Sequence, residues 1–182
     1  MMFGLYISEM KTVETRSDLL KLLPKGLRIA ELGVFRGDFS KEILDICQPS
    51  KLYLVDLFEG EVCCGDKDGE NVATEPDLSV AYFDLKEKYR TNPRVKVQKM
   101  HTWAFLETEP VIDAVYIDSQ HSFGQVQGEL CRAFRNLSVN YILGHDYDNE
   151  GVKRAVDEFC RDTNLEITYL TNDKCPSYLI EL

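Results

Sequence analysis

Hydrophobic positions along the 182-residue chain switch repeatedly between a strand period and a helix period. Ser17 to Leu23 reads as a short helix stopped by Pro24 and Gly26, ahead of a first strand over Leu27–Leu32. Phe39, Ile43, Leu44 and Cys47 then recur at helical spacing. The apolar run Leu52–Val55 that follows suits a strand buried on both faces. Leu78, Tyr82, Leu85 and Tyr89 predict a helix that ends at Asn92-Pro93, before a strand over Val95–Val97. Trp103 to Leu106 reads as a short helix.

The second half keeps this rhythm. A strand over Ala114–Ile117 precedes a helix with Phe123, Val126, Leu130, Phe134 and Leu137 in one register, and a strand over Val139–Leu143 follows. Val152, Ala155, Val156, Phe159 and Cys160 form an i, i+3, i+4, i+7, i+8 stripe. Leu165–Leu170 and Tyr178–Leu182 are joined by a link too short for a crossover helix, which predicts an antiparallel hairpin. Repeated β-α-β units predict an α/β fold: a mostly parallel sheet, helices on both faces and an antiparallel last strand. The expected organisation is one domain, with an amino-terminal helical segment over 1–26 and a core over 27–182. Glu59 to Ser79, rich in glycines and acids, reads as a long surface loop of the kind that carries function.

Composition narrows the partners. With 31 acids against 21 bases the chain carries a formal charge of −10, which disfavours a phosphate-tracking surface, so no nucleic-acid partner is expected. Six cysteines without a CxxC pair spell neither a zinc knuckle nor a redox motif, and adjacent Cys63 and Cys64 read as loop residues. Neither a signal peptide nor a membrane span is spelled, so a cytoplasmic protein is expected. Lys153, Arg154 and Arg161 interleave with Asp157, Glu158 and Asp162, the pattern of a solvated helix face.

In a sheet of this kind ligands bind at the carboxyl ends of the strands, near the point where strand order reverses. The first strand ends in Glu31-Leu32-Gly33-Val34-Phe35-Arg36-Gly37, a glycine-containing turn that opens a helix. Glycines permit close backbone approach to a ligand, and the Glu31 carboxylate can accept a hydrogen bond from a cationic amine. The same glycines also suit a tight strand-to-helix turn with no ligand. Asp56, about twenty residues further on, ends the second strand where a carboxylate can accept from both ribose hydroxyls. Glu31 stands where a dinucleotide fold places its first glycine, and an acid there would repel a pyrophosphate. The pair therefore points to a nucleoside ligand without phosphates.

This run resembles the first motif of class I S-adenosylmethionine-dependent methyltransferases. Tyr116-Ile117-Asp118-Ser119-Gln120-His121-Ser122-Phe123, Leu143-Gly144-His145-Asp146-Tyr147 and Gly151-Val152-Lys153-Arg154-Ala155-Val156-Asp157-Glu158-Phe159 are similar to strings of a small-molecule subgroup, methyltransferase family 24-like and related to the sugar O-methyltransferases. The likeness covers residues 28 to 182. It implies a Rossmann-like three-layer sandwich with a seven-stranded sheet and S-adenosyl-L-methionine as cofactor. It also implies O-methylation of a small molecule or sugar hydroxyl as the activity. The chain holds little beyond such a core, so the substrate lid is expected from Glu59–Ser79, from the amino-terminal segment or from the second subunit of a homodimer. By the same resemblance Glu31, Gly33 and Gly37 line the methionine part, Asp56, Leu57 and Phe58 the ribose and adenine edge, and Met100, His101 and Thr102 the adenine, with Asp118 also at the cofactor.

Asp118 and Asp146 end neighbouring strands, so their carboxylates are expected within several ångströms of each other, sharing a proton or a divalent cation such as Mg²⁺. Relatives with a metal here carry two adjacent acids after the fifth strand, where this chain has His145-Asp146. Asp118, His145 and Asp146 are the candidate metal ligands. His121 could take a proton from a substrate hydroxyl, or simply start a helix and bond Asp118. Asp118, His121 and Asp146 are thus the candidate catalytic set, and Tyr147 is the tyrosine expected in the pocket. A non-catalytic S-adenosylmethionine-binding or assembly protein on the same fold is the alternative reading, and a nicotinamide-dependent oxidoreductase is disfavoured by Glu31.

Overall fold

The computed structural model describes residues 10–59, 78–109 and 111–182. Its strands are β1 (Lys11–Val13), β2 (Arg28–Leu32), β3 (Lys51–Asp56), β4 (Val95–Lys99), β5 (Ala114–Ile117), β6 (Tyr141–Gly144), β7 (Tyr169–Thr171) and β8 (Tyr178–Glu181). The helices between them are α1 (Arg16–Lys21), α2 (Asp38–Cys47), α3 (Leu78–Lys88), α4 (Thr102–Thr108), α5 (Phe123–Arg135) and α6 (Glu150–Thr163). All eight strands join one sheet in the order β1-β7-β8-β6-β5-β2-β3-β4, and only β8 runs against its neighbours. From β2 the chain winds outward through β3 and β4, then returns to the other side of β2 for β5 and β6. The order therefore reverses between β2 and β5.

Strand alternation builds two cores. Ala30, Leu32, Tyr53, Val55, Val115, Ile117, Ile142, Tyr178 and Ile180 face the layer of α4, α5 and α6. Ile29, Leu52, Leu54, Ala114, Tyr116, Leu143 and Leu179 face α1, α2 and α3. Arg28 and Asp113 tie the amino ends of β2 and β5 by a two-pronged ion pair of 2.8 and 2.6 Å.

The seven expected strands are present, with an eighth, β1, that the amino-terminal segment adds in parallel beside β7. The first of the closing strands starts later than the sequence predicts. Leu165 and Ile167 serve as core contacts outside the sheet, hydrogen bonding to the neighbouring strands begins at Thr168, and the strand itself at Tyr169. The helical register through Leu137 is corrected as well: α5 stops at Arg135, Asn136 caps it, and Leu137 is fully exposed. Phe134 stays half in contact through an edge-on approach to Phe159. Most of the loop expected over 59–79, with Cys63 and Cys64, lies outside the described residues. Among the described residues no helix is long and apolar enough to cross a membrane. On α6, Lys153–Asp157 and Arg154–Glu158 pair one turn apart, as expected of a solvated face.

Candidate active site

At the end of β2 the chain must leave the sheet within one residue. Gly33 does this at φ +88°, its amide donating to Val55 O, and a Cβ on it would meet the Asp118 carbonyl oxygen at 2.0 Å. The glycine is therefore required by the approach of β5's end to the turn. Gly37 caps α2 at φ +75°, and the Leu85 side chain covers it. Five described non-glycine residues have positive φ. Gln48 and Asn164 are helix C-caps, whereas Phe35, Phe58 and Asp146 all follow the carboxyl ends of β2, β3 and β6. Such conformations gather at functional sites, where surrounding structure offsets their cost.

Glu31 is 2% exposed on the α1–α3 side of β2, between Leu54 and Tyr116 in the ladder. Ser40 Oγ on α2 donates to it at 2.5 Å. Burial pushes its pKa up to about 8, Ser40 opposes this, and the charges of Asp118 and Asp56 add to the rise. Glu31, Asp56 and Asp118 thus share one electrostatic neighbourhood at the switch point.

Asp56 proves to be a turn organiser. Its Oδ2 accepts from the Val34 and Phe35 amides at 2.8 and 3.0 Å, and Oδ1 accepts from the Phe58 amide at 2.7 Å. A carboxylate has about four acceptor positions, so one remains for a ribose hydroxyl rather than the two the sequence suggested. Leu57 is exposed at this edge, whereas the Phe58 ring is fully buried against Tyr82; burial leaves Phe58 its backbone, not its ring, for a ligand.

The Met100 amide donates to Asp56 O at 3.0 Å, which brings the end of β4 beside β3. His101 is the N-cap of α4, its Nδ1 accepting from the Trp103 amide at 3.2 Å. Thr102 is buried and its hydroxyl donates to Glu129 at 2.6 Å.

Across the switch point, β5 and β6 bring the predicted acids together, and two imidazoles join them. Asp146 Oδ2 lies 3.1 Å from His121 Nε2 and 3.2 Å from His145 Nδ1, while Asp118 Oδ1 lies 3.9 and 3.7 Å from the same nitrogens. The histidines answer the repulsion that the two acids alone would suffer. Asp146 is held below the usual carboxylate range by its hydrogen bond to His145, then by the charges of both histidines. His121 is raised by Asp118 first and by Asp146 as well. Burial opposes the charge on His145, but Asp146 and Asp118 outweigh it and raise that pKa too.

One atom each from Asp118, His145 and Asp146 falls within a 4.8 Å set. Ligands about 2.1 Å from a shared ion sit about 3–3.5 Å apart, so the cluster is close to a coordination geometry. An imidazole among carboxylates suits Mn²⁺ or a later metal better than Mg²⁺.

The position of Tyr147 is a correction. Its hydroxyl bonds Asp157 at 2.6 Å and receives Lys153 Nζ at 3.2 Å, so it belongs to the α6 face and is not aimed at the acid–histidine cluster.

Two residues escaped the sequence reading. Glu129, fully buried on α5, accepts from Thr102, from Ser119 at 2.7 and 2.8 Å, and from Gln125 at 2.8 Å. Burial raises its pKa against those bonds. It ties the turn after β4 to the loop that carries Asp118 and His121. An acid in phase with the apolar stripe of Val126, Leu130 and Ala133 was the available signal. Arg16, the first residue of α1, stacks on Phe39 with its Cζ 4.2 Å from the ring centroid, and nothing local in the sequence marks it.

No family model matches the chain, and no curated protein does. Solved structures are similar in fold. A Streptococcus agalactiae protein of the NADB-Rossmann superfamily matches at 11% identity and TM-score 0.64, over 95% of this chain and 70% of that one. A Streptococcus mutans protein described as a candidate methyltransferase, in complex with SAH, matches at 12% and 0.61, over 91% and 94%. A protein from Clostridium thermocellum described as a candidate rRNA methylase matches at 12% and 0.63, over 91% and 92%. At these identities the likeness establishes a Rossmann-like architecture, and the reaction has to be argued from the site.

Proposed function

We propose that the protein is an S-adenosylmethionine-dependent methyltransferase acting on a hydroxyl of a small molecule or sugar. The observation that carries this is the switch point itself. Glu31 and the Gly33 turn stand on β2, the Asp118–His121–His145–Asp146 cluster stands on β5 and β6, and the two sets meet through the contact of Gly33 with Asp118. One set suits a cationic amino-acid tail, and the other suits an acidic hydroxyl proton. Among the similar structures, two hold SAH, which supports the cofactor.

In this reading Glu31 receives the cofactor's ammonium group, Asp56 takes one ribose hydroxyl, and Leu57, Met100, His101 and Thr102 border the adenine. Methyl transfer needs in-line positioning in a desolvated pocket and no protein nucleophile. His121, when neutral, keeps its Nε2–H toward Asp146 and takes the acceptor's proton at the other ring nitrogen, Nδ1, and Asp118 and Asp146 stabilise the imidazolium that forms. Asp118, His145 and Asp146 fit a divalent cation, which would polarise an acceptor oxygen.

An RNA acceptor is the second reading, favoured by the likeness to a candidate rRNA methylase. The formal charge of −10 speaks against it. The test is transfer of labelled methyl from S-adenosylmethionine to a panel of hydroxylated small molecules and sugars, with unmodified tRNA and rRNA alongside. Label is expected in a small-molecule hydroxyl. H121A should lower that rate by about 10²–10⁴-fold. It should also remove the rise in rate as pH climbs through the raised His121 pKa. Label in RNA alone would overturn the acceptor assignment.

A further inference from the structure

We propose that Arg16 is the carboxylate-binding half of a zwitterion clamp whose other half is Glu31, so that the pocket selects nucleosides bearing an α-amino-acid tail. The inference rests on the cofactor reading above and extends it to a residue from outside the motif-bearing core.

The geometry starts from α1. Its N-cap Thr15 fixes the helix start, and the Arg16 amide donates to Asp173 Oδ2 in the β7–β8 turn at 3.4 Å. Anchored there, the side chain crosses to α2 and lies on the Phe39 ring. Phe39 in turn packs on Tyr116 with ring centroids 4.5 Å apart, and Tyr116 is the ladder partner of Glu31. Ser40, next to Phe39, is the residue that donates to Glu31. The guanidinium is thus held over the row that contains the buried acid. Its charge is felt there: it opposes the rise at Glu31 and the rise at His145.

Stacking on an aromatic face leaves the in-plane N–H donors of a guanidinium unspent. Among the described residues no carboxylate is within ion-pair distance of this guanidinium. A partly buried planar fork beside a buried acid matches what an amino-acid terminus offers, a carboxylate for bidentate bonding and an ammonium for the acid. The β1–α1 segment would then complete the cofactor site as well as the sheet.

The test is calorimetric titration of the full chain, wild type and R16Q, with three ligands. These are S-adenosylhomocysteine, its decarboxylated analogue with the amine retained, and 5′-methylthioadenosine, which lacks the whole tail. Wild type should prefer S-adenosylhomocysteine to the decarboxylated analogue by about ten- to a hundredfold. R16Q should bind the two alike, with affinity for methylthioadenosine unchanged. R16K, which keeps the charge without the fork, should retain part of the preference and serves if R16Q does not fold. Equal weakening of all three ligands, or an unchanged preference in R16Q and R16K, would overturn the clamp while leaving the cofactor reading standing. Failure of wild type to bind any of the three would overturn both.

Discussion

The Glu31 carboxyl, with a pKa near 8, is mostly protonated at neutral pH in the ligand-free protein. An ammonium group seated against it favours the ionised form, so the bound state has the lower pKa. Affinity for S-adenosylhomocysteine should therefore rise as pH increases from about 6 to 8, with release of up to one proton per binding event. Titrations in buffers of different ionisation enthalpy measure this, and E31Q should abolish the Glu31 share of the release. Glu31 was legible in the sequence because an acid before a glycine turn is unusual at a buried strand position. Its protonation was not legible, since that depends on Leu54, Tyr116 and Ser40 closing around it. Asp56 shows the converse: its place at a strand end was readable, but its three backbone donors exist only once the turn is folded.

At the scale of elements, the two glycines of the β2–α2 turn separate backbone from side-chain constraints. A Cβ on Gly33 meets main-chain atoms of Asp118 and Ser119, which cannot step aside without moving β5. A Cβ on Gly37 meets the far end of Leu85, which can rotate. G33A should therefore cost roughly 3–5 kcal/mol of stability, and G37A about 1–3 kcal/mol from positive φ and repacking. Urea melts compare them directly, and an equal cost for the two would contradict this account of the turn. The helices and central strands follow the sequence periods because both are set by local spacing. Where the readings slipped, a nonlocal partner decided: β1 is a strand because β7 offers it an edge, and Leu137 is exposed because Asn136, whose side-chain amide donates to the distant Glu109 carbonyl at 3.1 Å, ends α5 before it.

For the molecule as a whole, the sheet order creates one crevice, and residues from five strand ends and α1 converge on it. The acid–histidine cluster was half readable: Asp118 and Asp146 follow from neighbouring strands, but the joint approach of His121 and His145 to Asp146 needed the β6 turn, with Asp146 itself at φ +55°. We propose that this crevice binds S-adenosylmethionine. The most direct measurement is calorimetric titration of EDTA-treated protein with S-adenosylmethionine, with and without Mn²⁺, using NAD as the control ligand. Saturable binding of one S-adenosylmethionine per chain, with none of NAD, is the expected result, and Mn²⁺ should give a separate heat that D146N removes. Absence of S-adenosylmethionine binding under both conditions, or binding of NAD in its place, would contradict the assignment.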